Sequence, residues 1–436
     1  MFTPTKRRAF SAAAILMTSA LALSACSGGG SGGGEPAADF DPDAAVTLNF
    51  AFWGNDVRAD LYTKAIAAFN EEYPNITVNS TFLDFPAFWE KRQTEAAGGG
   101  LPDVMQFDYS YLRQYSDSNL LLDLEPYLGE TINTDGLSEN ILEIGVVDDV
   151  TTAIATSTNA WGMYTNPKLA ESIGVEDYPG GTTWDEYRDW MAEATTAGAS
   201  AGVYGGTDWT GRIQNFELQL RAEDSYLFSE DGEAGFDKDR LAEFWEEGAD
   251  VREEIGLPAQ RAEEVLPLSG FDSALTLTEL TWDNFGAGYL GNLGADYTEL
   301  GLVEPPVTEE GAKDLYLKPS MLHAVAASTD HPEAATVLVD FLINSPEAGA
   351  IFGTNRGLPA SETQLEGAEL GGLEAQVRDY ETAIEDRLGD APPVPIVGFG
   401  SLEEKFRQIG QELGYGTITV DEAVDQFFAE MDVVLE

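Results

Sequence analysis

Four of the chain's eight tryptophans stand where an indole can meet a ligand. Trp53, Trp161, Trp209 and Trp282 each end an apolar run beside small or polar residues. The local sequences are Trp53-Gly54-Asn55, Asn159-Ala160-Trp161-Gly162, Asp208-Trp209-Thr210-Gly211 and Trp282-Asp283-Asn284. An indole offers a flat apolar face and one donor, which suits the C–H face of a pyranose ring. Neighbouring amides such as Asn55, Asn159 and Asn284 supply donors and acceptors for its hydroxyls. Such a site rejects ligands that lack hydroxyls, because its own buried polar groups would be left unpaired. The plainer reading is that these rings pack in surface loops or at a hinge. Trp184, Trp190 and Trp245 lie on helical apolar faces and read as core.

Other chemistry has thin support. The two histidines, His323 and His331, lack zinc spacing, so no metal or other cofactor is expected. Asp231, Glu233, Asp237 and Asp239 form an acidic loop that could hold calcium, but EF-hand spacing is absent. Gly29-Gly30-Ser31-Gly32-Gly33 matches a nucleophile elbow only on paper, since a glycine linker cannot supply its strand-turn-helix setting. No phosphate-binding or dinucleotide fingerprint occurs. A glycosidase needs two carboxyls at a set separation, and 77 acidic residues make proximity in sequence uninformative. The formal net charge of −54 opposes binding to nucleic acid, anionic lipid or phosphorylated ligands.

The elements that would position these residues alternate between strand and helix. Val46, Leu48, Phe50 and Phe52 follow strand period, and so do Ile76, Val78, Ser80 and Phe82. Between them Leu61, Tyr62, Ala65, Ile66, Phe69 and Tyr73 mark one helix face, stopped by Pro74. A helix from about 88 to 97 ends in Gly98-Gly99-Gly100, and residues 104–107 read as a third strand. This run predicts a parallel sheet covered by helices, and loops after its strands are where ligands bind. Thr183-x-x-Glu186 and Thr419-x-x-Glu422 are capping boxes. His331-Pro332-Glu333 opens another helix.

The chain starts with Lys6, Arg7 and Arg8 before an apolar stretch, Ala9 to Leu23, as a secretory signal does. Leu23-Ser24-Ala25-Cys26 resembles the bacterial lipobox, in which the cysteine is lipidated after cleavage before it. Residues 1–25 are thus expected to be a lipoprotein signal. Residues 26–43 would be lipidated Cys26, the chain's only cysteine, and a flexible Gly/Ser linker reaching roughly 20–25 Å. The mature protein would sit on the outer face of the cytoplasmic membrane. No later apolar run is long enough to span a membrane.

Several stretches resemble the extracellular solute-binding proteins of ABC importers, in the sugar-binding group that includes maltose-binding protein. They are Leu101-Pro102-Asp103-Val104 with Asn119-Leu120-Leu121, and Trp161-Gly162-Met163-Tyr164-Thr165-Asn166-Pro167. Thr183-Trp184-Asp185-Glu186-Tyr187 is a third, and His331-Pro332-Glu333-Ala334-Ala335 through Arg356-Gly357-Leu358-Pro359 a fourth. The stretch from Pro392 to Ala423 matches in arrangement. The resemblance implies an α/β fold of two lobes, the type II periplasmic-binding-protein-like architecture, with a cleft between them and hinge crossings. On that template the N-terminal lobe is 44–156 plus 282–345 and the C-terminal lobe 157–281 plus 346–436, with crossings near 155–159, 277–281 and 345.

The resemblance also implies site residues. Asp84 and Phe85 follow the second strand, and Phe107, Asp108 and Tyr109 the third, where the family places a ligand shelf. Trp282 falls where a sugar-stacking tryptophan stands, and Trp209 in a region with a stacking tyrosine. Phe399 lies near another stacking position, but Gly398-Phe399-Gly400 replaces tryptophan there, so maltose is not assumed. Arg356 either bridges a ligand hydroxyl or pins its own loop. The expected function is capture of a carbohydrate, an oligosaccharide, by a monomer that delivers it to an ABC permease without catalysis. The alternatives are an anchored glycoside hydrolase and a binding protein for another polar solute.

Overall fold

The computed structural model describes residues 40–229 and 232–435. The expected signal, Cys26, the linker up to residue 39 and Asp231 of the acidic loop lie outside them. Strand β1 (Val46–Trp53) leads through α1 (Asp56–Glu72) to β2 (Ile76–Leu83), then through α2 (Phe85–Gly98) to β3 (Val104–Phe107). β1 lies between β2 and β3 and runs parallel to both, as the alternating pattern predicts. Local chemistry sets the helix ends. The Asn55 side chain accepts from Arg58 N–H at the start of α1, and Asp84 does the same for Ala87 N–H in α2. Gly99 closes α2 at φ 68°, a left-handed turn that glycine makes without a Cβ clash. Both capping boxes form: Thr183 and Glu186 exchange bonds, as do Thr419 and Glu422.

Beyond β3 and α3 (Tyr109–Asp117), a small hairpin of β4 (Val146–Val147) and β5 (Val150–Thr151) precedes the strand that organises the molecule. β6 (Ile154–Thr165) is buried at all twelve positions. Its first half pairs antiparallel with β9 (Leu317–Val325), which continues the sheet onto β3. Its second half pairs with β7 (Thr278–Trp282) and β8 (Gly301–Val303), and β10 (Leu358–Pro359) adds to Thr158 and Ser157. The register slips between Ala155 and Thr158. One strand therefore serves two cores, and its irregular segment lies between them.

The first core gathers Phe50, Phe69, Leu112, Leu322 and Leu338; the second gathers Trp161, Phe216, Trp245, Phe406 and Phe427. Their membership departs from the expected boundaries. Residues 282–316 do not return to the first core: Tyr289 and Leu300 pack with Tyr164 and Phe271, and Leu315 belongs with Trp245. The reason is the pairing of β7 and β8 with the far half of β6, which keeps the chain on that side until β9 leads back. Nor does the chain leave at 345, because Ala348 and Phe352 still pack in the first core. Tyr380 is the next buried hydrophobic residue of the second core. Among the described residues no single helix is long and apolar enough to cross a membrane. One bent pair, Pro332–Asn344 with Pro346–Phe352, passes by composition, but most of its apolar residues are buried in the first core.

Candidate functional site: an aromatic cleft between two cores

A cavity of about 490 Å³ opens between the two cores, and six of the expected residues line it: Asp108, Tyr109, Asn159, Trp282, Asn284 and Phe399. Asp108 and Tyr109 come from the C-terminal end of β3, where Asp108 caps α3 by accepting from Ser110 N–H. Asn159 comes from β6 just past the register slip. Trp282 ends β7, and Asn284 comes from the turn after it. The Tyr109 hydroxyl donates to the Pro392 carbonyl across the cavity at 3.0 Å. Trp282 is half-buried, braced edge-on by Trp161 at 5.1 Å and by Tyr316 at 6.2 Å. Lys318 Nζ stands 4.9 Å from the Trp282 ring centroid, a donor already beside the aromatic face.

Sequence reading missed half of the wall. The helix Ile213–Ala222 contributes Gln214, Glu217 and Arg221, spaced three and four apart on one face. Tyr316, Lys318 and Ser320 also line the cavity, on alternate positions of one chain segment. Those two polar periodicities were the available signals. The groups are held in place: the Tyr316 hydroxyl donates to Glu217 Oε2 at 2.7 Å, and Gln214 Nε2 to Glu403 Oε1 at 2.7 Å. Burial pushes the Glu217 carboxyl up, against the opposing pull of Arg221 and of the Tyr316 hydroxyl. Arg221 stacks on Tyr316 at 5.0 Å and donates through Nε to the Asp314 carbonyl. Aromatic faces here stand edged by fixed amides, carboxylates and cations, so stacking surfaces and hydrogen-bonding groups share one cavity.

The other expected residues lie elsewhere. Phe107 is fully buried in the first core against Trp89 and Tyr115, since β3 has sheet on both sides and all four of its positions face inward. Trp161 is buried beneath Trp282 and spends its donor on Asn215 Oδ1 at 2.9 Å. Trp209 is buried against Trp184 at 5.4 Å. Both rings line a second cavity of about 470 Å³ with Gln219 and Glu223, on the opposite face of the helix Ile213–Ala222 from the cleft. Arg356 is buried, donating to the Leu342 carbonyl and Gln364 Oε1, with its guanidinium 3.7 Å from the Phe352 ring centroid. Its side chain pins the loop. Asn55 and Asp84 are helix caps. Trp53 is half-buried and packs edge-on against Phe85 at 5.4 Å, and Phe85 is exposed on the rim of the first core. Among the described residues no group of three His, Cys, Asp or Glu side chains could hold a metal ion.

Comparison with known proteins agrees with this architecture. Residues 55–349 match the family model described as bacterial extracellular solute-binding protein. A family 1 extracellular solute-binding protein from Alicyclobacillus acidocaldarius is 25% identical, with a TM-score of 0.77 over 91% of this chain and 100% of that one. A periplasmic oligogalacturonide binding protein from Yersinia enterocolitica is 20% identical, with a TM-score of 0.76 over 89% of this chain and 100% of that one. The GacH receptor of Streptomyces glaucescens, solved unliganded and with acarbose, is 18% identical, with a TM-score of 0.64 over 90% and 99%. Two α/β cores joined through shared strands, with a polar aromatic cleft between them and a family match over most of the length, place this chain among the bacterial extracellular solute-binding proteins.

Proposed function

We propose that the protein captures an oligosaccharide in the cleft and delivers it to an ABC permease, binding without catalysis. The observation that carries this reading is the single cavity in which Trp282, Tyr316 and Phe399 meet Asn159, Gln214 and Glu217. Stacking faces and paired polar groups together match the two-sided character of a sugar ring. The named ligands of two similar structures, oligogalacturonide and acarbose, are carbohydrates, which supports the same class here. A thermal-shift screen of the mature chain against neutral and acidic oligosaccharides tests it. A ligand-dependent rise in melting temperature is expected from linkage; a panel of amino acids and peptides giving the only rises would replace the sugar reading.

The two cores share β6 and β9, so relative motion would be taken up at the register slip near Ala155 to Thr158. Ligand contacts to both sides favour the closed state, and only that differential affinity can drive the hinge. Small-angle scattering should therefore show a smaller radius of gyration with saturating ligand. A tight ligand that leaves the radius unchanged argues for a rigid pocket.

We further propose that Cys26 carries the lipid that tethers the domain outside the membrane. Cys26→Ser should move the protein from the detergent phase to the aqueous phase on phase separation, because no single described helix can replace the anchor. Unchanged partitioning of that variant would refute the tether.

A further inference from the structure

Behind the cleft, two acids are buried together. Asp283, wholly buried, lies between the cavity residues Trp282 and Asn284; Glu381, also buried, comes from the helix Leu373–Ala383. Their carboxyls lie close enough for each to act on the other's proton affinity. Each also reaches the hinge strand: Asp283 Oδ2 accepts from Ala160 N–H at 2.9 Å, and Glu381 Oε2 accepts from Thr158 Oγ1 at 2.8 Å. Those contacts flank Asn159, another cavity residue. The remaining oxygens, Asp283 Oδ1 and Glu381 Oε1, are buried, and among the described residues no N–H or O–H donates to them. Two ionised carboxylates cannot share such a place without a cation. Among the described residues none pairs with them: Arg387, whose field reaches the adjacent Tyr380, is taken by Asp314 at 2.8 Å and Glu304 at 3.2 Å.

We propose that Asp283 and Glu381 are positioning residues of the cleft: one proton shared between their carboxyls holds the Trp282–Asn284 turn against the hinge strand, and its loss to solvent releases that turn. The consequence for ligand rests on the reading of the cleft as a sugar site; the lock itself does not. Other groups around the pair do not supply the missing charge. The Tyr164 hydroxyl donates to the Asp283 carbonyl, and the Tyr380 hydroxyl donates to the Trp161 carbonyl at 2.5 Å. Glu304 lies near Tyr380 and adds negative charge. Burial, foremost, pushes Glu381 up to about 7. Burial and then the charge of Glu381 push Asp283 well above the carboxylate range. A raised acid stabilises the folded form at low pH and loses that contribution as pH rises through the folded value. Glu381 ionises first and leaves one shared proton on the pair, so the turn stays locked until pH rises through the higher folded value of Asp283.

The test needs no ligand. Intrinsic tryptophan fluorescence of the full chain is titrated from about pH 5 to about pH 10. The wild type should show a reversible transition above pH 7, where Asp283 gives up the shared proton after Glu381 has ionised, largely lost in Trp282→Phe. In Glu381→Gln the amide donates to Asp283 at every pH, so the transition should vanish. Asp283→Asn serves as a second variant, with circular dichroism checking that each folds. A flat wild-type titration, or a transition that survives unchanged in Glu381→Gln, overturns the proposal; the wild-type and Trp282→Phe titrations decide it even if neither acid variant folds. Either failure leaves the glycan screen untouched, and an empty glycan screen leaves the titration untouched.

Discussion

Trp245→Ala should destabilise the protein by about 3–5 kcal/mol, the usual range for truncating a buried large aromatic. Trp245 is fully buried in the second core, 5.1 Å from Phe406 and edge-on to Phe427. Its indole donates to the Thr210 carbonyl at 3.1 Å, so truncation opens a cavity and also strands a buried acceptor. The neighbours cannot collapse into the gap easily, because Phe216, Phe244 and Phe406 already pack ring against ring. Neither Trp245 nor these neighbours line the cleft. Chemical denaturation should show the loss. Ligand affinity measured at a temperature where the variant remains folded should stay within a few-fold of wild type. A variant that melts like wild type would show that this core carries less of the fold than its packing implies.

The parts of the fold that the sequence made legible are those decided locally. β1 to β3 and their two helices follow from period-two and helical patterns, and each signal lies within a few residues of its effect, whereas Asn55 and Asp84, expected at the ligand, cap those helices instead. The lobe boundaries were not legible, because they depend on which distant strand meets which half of β6. That strand is buried at every position, so it shows no polar face from which register could be read. The same burial explains the site residues that fell elsewhere. Trp161 and Trp282 are partners in one register, yet only Trp282, at the strand end, is left half-exposed. Phe107 precedes the cleft by one residue, and on a strand one residue decides between core and solvent. The missed Gln214, Glu217 and Arg221 looked like an ordinary polar stripe, since a buried polar face and a solvated one share one periodicity.

Trp282→Ala should do the reverse of Trp245→Ala, costing more in affinity than in stability. Its ring is half-buried and already has its edge-on supports, Trp161 and Tyr316, in place, so truncation removes a surface of the cavity rather than the centre of a core. Loss of one stacking face should weaken ligand binding by about 1–3 kcal/mol, the value for a base stacked on an aromatic side chain, or roughly five- to 150-fold. Trp282→Phe keeps an apolar face and should recover part of that loss, whereas a purely structural role would leave affinity insensitive to which residue replaces it. Lys318 would lose its aromatic partner in the alanine variant, so Lys318→Met, measured alongside, separates the ring's own contribution from that of the cation beside it. Calorimetric titration with the glycan found in the screen, paired with thermal melts, decides the matter. If Trp282→Ala binds that glycan as wild type does, the ring is packing, and the sugar must be held by the polar wall of Asn159, Gln214 and Glu217 instead.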